Sequence, residues 1–163
     1  LLFLFLGGCE FHSLYRQQDK PALKSLQAIK IERIQNRKGQ WLRNRLSTLL
    51  TPQGVPPKPL YTLSISLKSQ DQRIGVLRDA TTSRIEKIIT ATYVLKDANT
   101  QHILLESKAT ATGAFNILKG ADYSTIVSKE KAETETLEDL ALQIQNQLAC
   151  YFKRSSSHSP FHA

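Results

Sequence analysis

Cysteine, histidine, glycine and tryptophan are scarce in this 163-residue chain, which has two Cys, four His, seven Gly, one Trp and no Met. The histidines, at 12, 102, 158 and 162, lack the spacing of a metal site such as H-E-x-x-H. The glycines form no phosphate-cradling loop, and there is no G-x-S-x-G elbow and no Cys placed in sequence beside a candidate base. Two cysteines, Cys9 and Cys150, are too few for a disulfide framework. Acidic residues are outnumbered 22 to 14 by basic ones, and paired carboxylates can be drawn only from the run between Glu130 and Asp139. These absences exclude the usual hydrolytic, nucleotide-dependent and metal-dependent chemistries and argue for a binding protein, not an enzyme. No cofactor is expected beyond a lipid on Cys9.

Long apolar runs are also missing. The longest is Leu1–Leu6, which ends in Gly7-Gly8-Cys9 and is followed by the polar Glu10-Phe-His12. A membrane-spanning helix needs about 20 apolar residues, so this run is no span. It reads instead as the end of a secretory signal at 1–8, whose front lies outside this sequence. Leu6-Gly-Gly-Cys9 looks like a bacterial lipobox, in which small residues fit the peptidase cleft and the cysteine thiol takes the lipid. Several acyl chains on Cys9 would then hold the protein durably at a membrane surface, each buried methylene contributing about 0.8 kcal/mol. Residues 9–24 read as a tether. Residues 25–153 are long enough for one domain with its own core, and 154–163 read as a disordered tail.

Charge is unevenly spread. Eleven Lys/Arg face three Asp/Glu between Glu10 and Lys68, whereas the remainder to Ala163 is balanced at eleven each. Such a basic first part attracts polyanions. For an exported lipoprotein these are headgroup and lipopolysaccharide phosphates; for a cytosolic protein with a misread start they would be nucleic acid.

Ser25–Ile34 reads as a first strand, Gln35–Gln40 as a turn, and Trp41–Leu50 as an amphipathic helix with Leu42, Leu46, Leu49 and Leu50 on one stripe. Trp41 lies on the flank of that stripe, at the core edge or facing a partner. The prolines of Thr51–Pro59 stop the helix. Leu60–Lys68 and Ile85–Leu95 alternate strictly, Ser69–Ser83 is a polar connection whose flanks can pair, and Ile103–Phe115 is a further strand. Short connections make these three an antiparallel meander. Their second faces carry Thr62, Ser64, Ser66, Thr90, Thr92, Thr110 and Thr112, too polar for an ordinary core. That face is either solvated or docked in a polar enclosure. A long helix over Ser124–Phe152 closes the chain, with Cys150 expected as a buried thiol. A helix between the first two strands makes them parallel. The expected fold is α/β in the α+β sense, a two-layer sandwich whose four-stranded mixed sheet carries two helices on one face.

The lipobox with Cys9-Glu-Phe-His-Ser-Leu-Tyr15, the segment Ile34-Gln-Asn-Arg-Lys-Gly-Gln-Trp-Leu-Arg-Asn-Arg-Leu46, and the later Ala91-Thr-Tyr-Val-Leu95 and Tyr123-Ser-Thr-Ile-Val-Ser128 together resemble the lipopolysaccharide-assembly lipoprotein family, LptE, in its alphaproteobacterial form. The likeness covers about residues 6–152. Glu10 departs from the family's usual glycine. The resemblance implies an outer-membrane lipoprotein on the periplasmic side, a non-enzymatic translocon subunit that plugs the β-barrel LptD, assists its assembly and binds lipopolysaccharide. It implies Arg78 and Lys129, supported by Arg84 and Lys119, as lipopolysaccharide contacts. With that role the hydroxyl-rich face of Thr90, Thr92, Thr110 and Thr112, together with Trp41, would face the barrel, and no nucleic acid would be bound. A different envelope lipoprotein, acting as an adaptor or maintenance factor on the same sandwich, is the competing reading.

Overall fold

The computed structural model describes residues 20–76, 82–118 and 120–157. Cys9 and most of the tether, Arg78, Lys119 and the chain beyond Ser157 lie outside them. In order come α1 (Lys20–Gln27), β1 (Ile29–Ile31), α2 (Asn36–Leu50), β2 (Tyr61–Val76), β3 (Thr82–Asp97), β4 (Ile103–Leu118) and α3 (Asp122–Ser157). The sheet order is β1-β2-β3-β4, with β1 parallel to β2 and the other pairs antiparallel. This is the expected mixed four-stranded α+β sandwich.

The front of the domain differs from its reading. Residues 20–27, divided above between tether and first strand, form a helix, and only Ile29–Ile31 pair with β2. Ala22 and Leu26 are spaced four apart and bury against the core, so the helical period prevails there. The strand signal of Ile29 and Ile31, both buried around exposed Lys30, survives in three residues. The turn placed at 35–40 is mostly the first turn of α2. At Gly39 a Cβ would stand 2.6 Å from Ile34 Cγ2, so a side chain there would push the helix start off β1's exit. The polar connection after Lys68 is largely strand, since β2 and β3 pair from Tyr61↔Asp97 to Val76↔Ser83 with one irregularity at Arg73/Gly75. Of the expected tail, Arg154–Ser157 continue α3.

Three helices, not two, form the second layer. Strands of 16 residues run about 53 Å at 3.3 Å per residue, and the 36-residue α3 runs about 54 Å at 1.5 Å per residue. One helix therefore matches the strands in length, and it packs on β3 and β4. Its stripe, Leu137, Leu140, Ala141, Ile144, Leu148 and Phe152, packs on Leu63, Ile89, Ala91, Tyr93 and Leu95, while α1 and α2 add Leu26, Leu42, Leu46 and Leu50. Each fully buried leucine contributes about 1.5–3 kcal/mol relative to exposure. Cys150 points away from this stripe and is exposed, which corrects the buried-thiol expectation. Its neighbours Leu148, Ala149 and Phe152 occupy the inward positions of that helical turn.

Candidate functional site: the open sheet face and the far end of the sandwich

Alternation along the strands sorts their side chains into two faces. Odd positions of β3, from Ile85 to Leu95, are buried under the helices. Even positions, from Arg84 to Lys96, are exposed or half-buried on a face that no described element covers. The register aligns Ser66 with Thr92, Lys68 with Thr90, Thr90 with Thr110, and Ile88 with Thr112. The result is a band of hydroxyls across three strands. Thr90 and Thr110 stand 3.2 Å apart, oxygen to oxygen, and Ser64 donates to Glu32 Oε2 at 2.6 Å. The four threonines singled out from the sequence thus share one open face. Lys30, Lys68, Lys96 and Lys108 project from the same side as Thr90 and Thr92, interleaved with Glu86 and Glu106. Ile88 and Val94 are half-buried on the same face, so the surface offers a partner hydrogen bonds and mixed charge with a small apolar share.

Trp41 belongs elsewhere. It is half-buried on α2 and packs against the main core. The structure separates the basic residues too. Arg84 is exposed on the open sheet face, in register with Gly75 and Asn116, while Lys129 is exposed on α3 in the helical layer. Both lie toward the end of the sandwich where β2 turns into β3 and β4 leads into α3. Exposed apolar residues share that end: Ile74, Ile117, Tyr123, Ile126 and Val127. Arg78 and Lys119 fall outside the described residues.

Behind this end lies a group that the sequence did not flag. Lys87 is only 2 % exposed on the helix-facing side of β3, where it pairs with Asp71 at 2.6 Å and with Glu133 at 3.5 Å. Glu133 also holds Lys38 at 3.0 Å, and Lys38 reaches Ser69 Oγ at 3.3 Å. Four elements, α2, β2, β3 and α3, are tied by these charges where the apolar core thins to Ile85, Phe115 and Ala132. A lysine at an inward position between Ile85 and Ile89 was the available signal. Beside it, Gly113 lets α3 approach β4 so closely that a Cβ would stand 2.2 Å from Thr136 Oγ1. Farther along, Arg45 grips Glu138 through both Nε and Nη2, with Nε at 2.8 and 2.7 Å from the two carboxylate oxygens. The Tyr93 hydroxyl donates to Gln147, which Ser107 also reaches at 3.4 Å. Burial raises the Tyr93 phenol above its ordinary value, against a smaller opposing effect of the Ser107 hydrogen bond.

Among the described residues no three His, Cys, Asp or Glu converge as a metal site, and no helix is long and apolar enough to cross a membrane. Solved bacterial lipoproteins share this two-layer sandwich fold. A lipoprotein structure from Caulobacter crescentus CB15 superposes with a TM-score of 0.64 at 18% identity, covering 83% of this chain and 98% of that one. An uncharacterized lipoprotein B from Nitrosomonas europaea gives a TM-score of 0.60 at 16% identity over 83% and 88%. An uncharacterized protein of Rickettsia prowazekii (strain Madrid E) is 27% identical over 154 residues, 94% of this chain and 95% of that protein. The lipopolysaccharide-assembly family LptE matches residues 26–148, and the chain belongs to that family.

Proposed function

We propose that this protein is the lipid-anchored subunit of the outer-membrane lipopolysaccharide translocon, seated by its open sheet face inside the β-barrel LptD and binding lipopolysaccharide at the far end of the sandwich. The observation that carries this reading is the uncovered band of Ser66, Thr92, Thr90 and Thr110, set against an opposite face that is buried under the helices along β3. A barrel lumen is polar and wet, so a partner wall there can satisfy hydroxyls without a dry core. Thr112 extends the same surface along β4.

Lipopolysaccharide phosphates would meet Lys129 and Arg84, with Arg78 and Lys119 as further contacts. An arginine can give a phosphate two parallel donors, whereas a lysine acts as a point charge. Cys9, carrying acyl chains, would hold the domain at the periplasmic side of the outer membrane. The protein acts by occupying and positioning, with no bond made or broken.

Two measurements test the reading. Membranes solubilised in mild detergent should yield this chain in stable complex with LptD; a monomeric chain free of any barrel protein would contradict it and favour an adaptor lipoprotein. The double variant Arg78→Asp with Lys129→Asp should keep its fold and lose most binding to purified lipopolysaccharide. Undiminished binding in that folded variant would remove the assigned contacts.

A further inference from the structure

At the opposite end of α3 from Lys129, the three helices enclose an apolar groove of about 200 Å³. Leu23 and Leu26 of α1, Leu49 and Leu50 of α2, Pro52 after it and Ala149 of α3 form its walls. Leu23 is 40 % exposed there, a large apolar side chain left at the groove although the core lies directly beneath. The polar lining is confined to Gln27, Gln145 and Lys153, and Gln145 is already turned toward the Leu49 carbonyl at 3.5 Å.

Among the described residues, the charge around the groove has one sign. Neither α1 nor α2 contains an acidic residue, and α3 has none after Asp139. The same stretches expose Lys24, Lys153 and Arg154. A narrow apolar slot bordered by cations complements a ligand with an aliphatic chain and an anionic head.

We propose that this groove binds one acyl chain of an anionic membrane phospholipid, with the headgroup phosphate held beside Lys153 and Lys24. The site does not depend on the lipopolysaccharide contacts assigned above, which lie at the other end of the molecule. It gives the domain a lipid contact of its own, distinct from any lipid carried by Cys9, and would set the end bearing α1 against the bilayer surface.

The test uses the full chain with Cys9→Ser, which cannot be acylated at that position, and alkyl phosphates below their micelle concentration. Dodecyl phosphate should bind one to one and shift the methyl resonances of Leu23, Leu26, Leu49 and Leu50. Affinity should rise about fourfold per added methylene from octyl to dodecyl, as expected for burial of a chain in an apolar slot. Lys153→Gln should weaken binding about fivefold, the effect of one cation near a phosphate surface. Vesicles containing phosphatidylglycerol should retain the protein better than vesicles of phosphatidylcholine alone, and the exposed-site variant Leu23→Gln should reduce that retention while leaving the circular dichroism unchanged. Equal binding of dodecyl maltoside, shifts centred on Ile126 and Val127, or retention indifferent to Leu23→Gln would each overturn the proposal. Displacement of dodecyl phosphate by lipopolysaccharide but not by phosphatidylglycerol would overturn the choice of a phospholipid.

Discussion

Gly113→Ala is the perturbation whose cost follows most directly from the structure. The new Cβ would lie 2.2 Å from Thr136 Oγ1 and 3.0 Å from the Ala132 carbonyl oxygen. Neither neighbour yields easily. Thr136 is 1 % exposed and its hydroxyl donates to Ala132 O at 2.6 Å, and the second obstacle is helix backbone. Overpacking of this kind costs about 1–3 kcal/mol, against which alanine in place of a strand glycine recovers about 0.5–1 kcal/mol. A net loss of about 1–2 kcal/mol corresponds to a fall of about 3–6 °C in Tm for a domain of this size. Urea unfolding followed by circular dichroism measures it, and Thr136→Ala supplies the second corner of a cycle. Alone, Thr136→Ala should cost about 1 kcal/mol for its hydrogen bond. Combined with Gly113→Ala it removes the shorter of the two contacts, so the pair should lose less than the sum of the singles, by about 0.5 kcal/mol or more. Gly113→Ala as stable as the parent, or strict additivity, would refute the close approach of α3 to β4.

Three further outcomes are expected. Removing both carboxylates, Asp71→Ala with Glu133→Ala, leaves the buried Lys87 ammonium without a counter-ion and should cost about 3–5 kcal/mol, whereas Lys87→Met should cost far less; the asymmetry arises because Asp71 and Glu133 are 40 % and 24 % exposed and can rehydrate, while Lys87 at 2 % cannot. Equal losses in the two unfolding curves would contradict it. Because burial raises the Tyr93 phenol above 10.0, its contribution is complete below that value and fades as pH rises through the raised pKa, since the unfolded chain ionises first. Tyr93→Phe should therefore flatten the alkaline limb of Tm against pH, and an unaltered limb would count against the burial. Asp97, held below 3.8 by the backbone N–H groups of Thr100 and Asn99, favours the folded state above its ordinary pKa and loses that effect as pH falls through the lowered one. The Tm deficit of Asp97→Ala should accordingly shrink on acidification, and a deficit constant with pH would disprove the linkage.

Much of the fold could be read from period alone. The alternation of Leu63, Ile65 and Leu67, and of Ile89, Ala91 and Tyr93, is local, strict and borne out by the sheet, as is the stripe of Leu42, Leu46 and Leu50. Residues 20–34 misled because Ala22, Leu26, Ile29 and Ile31 change from a helical to a strand period within a few positions, and only packing against α3 settles where the change falls. The threonine face was visible as a pattern. What the sequence could not show was that it stays uncovered, because that depends on all three helices choosing the other side. The ionic group around Lys87 joins residues as distant as Lys38 and Glu133, a pairing that no local spacing encodes. The groove beneath Leu23 arises from three separate helices for the same reason.

Site-specific photo-crosslinking in intact cells tests the central claim most directly. A benzophenone side chain placed singly at Thr92, Thr110 or Thr112 should form adducts with LptD, and one placed at exposed Thr48 on the helical layer should not. Adducts from Thr48 with none from the three sheet positions would show that the domain meets its barrel by the wrong face for this account.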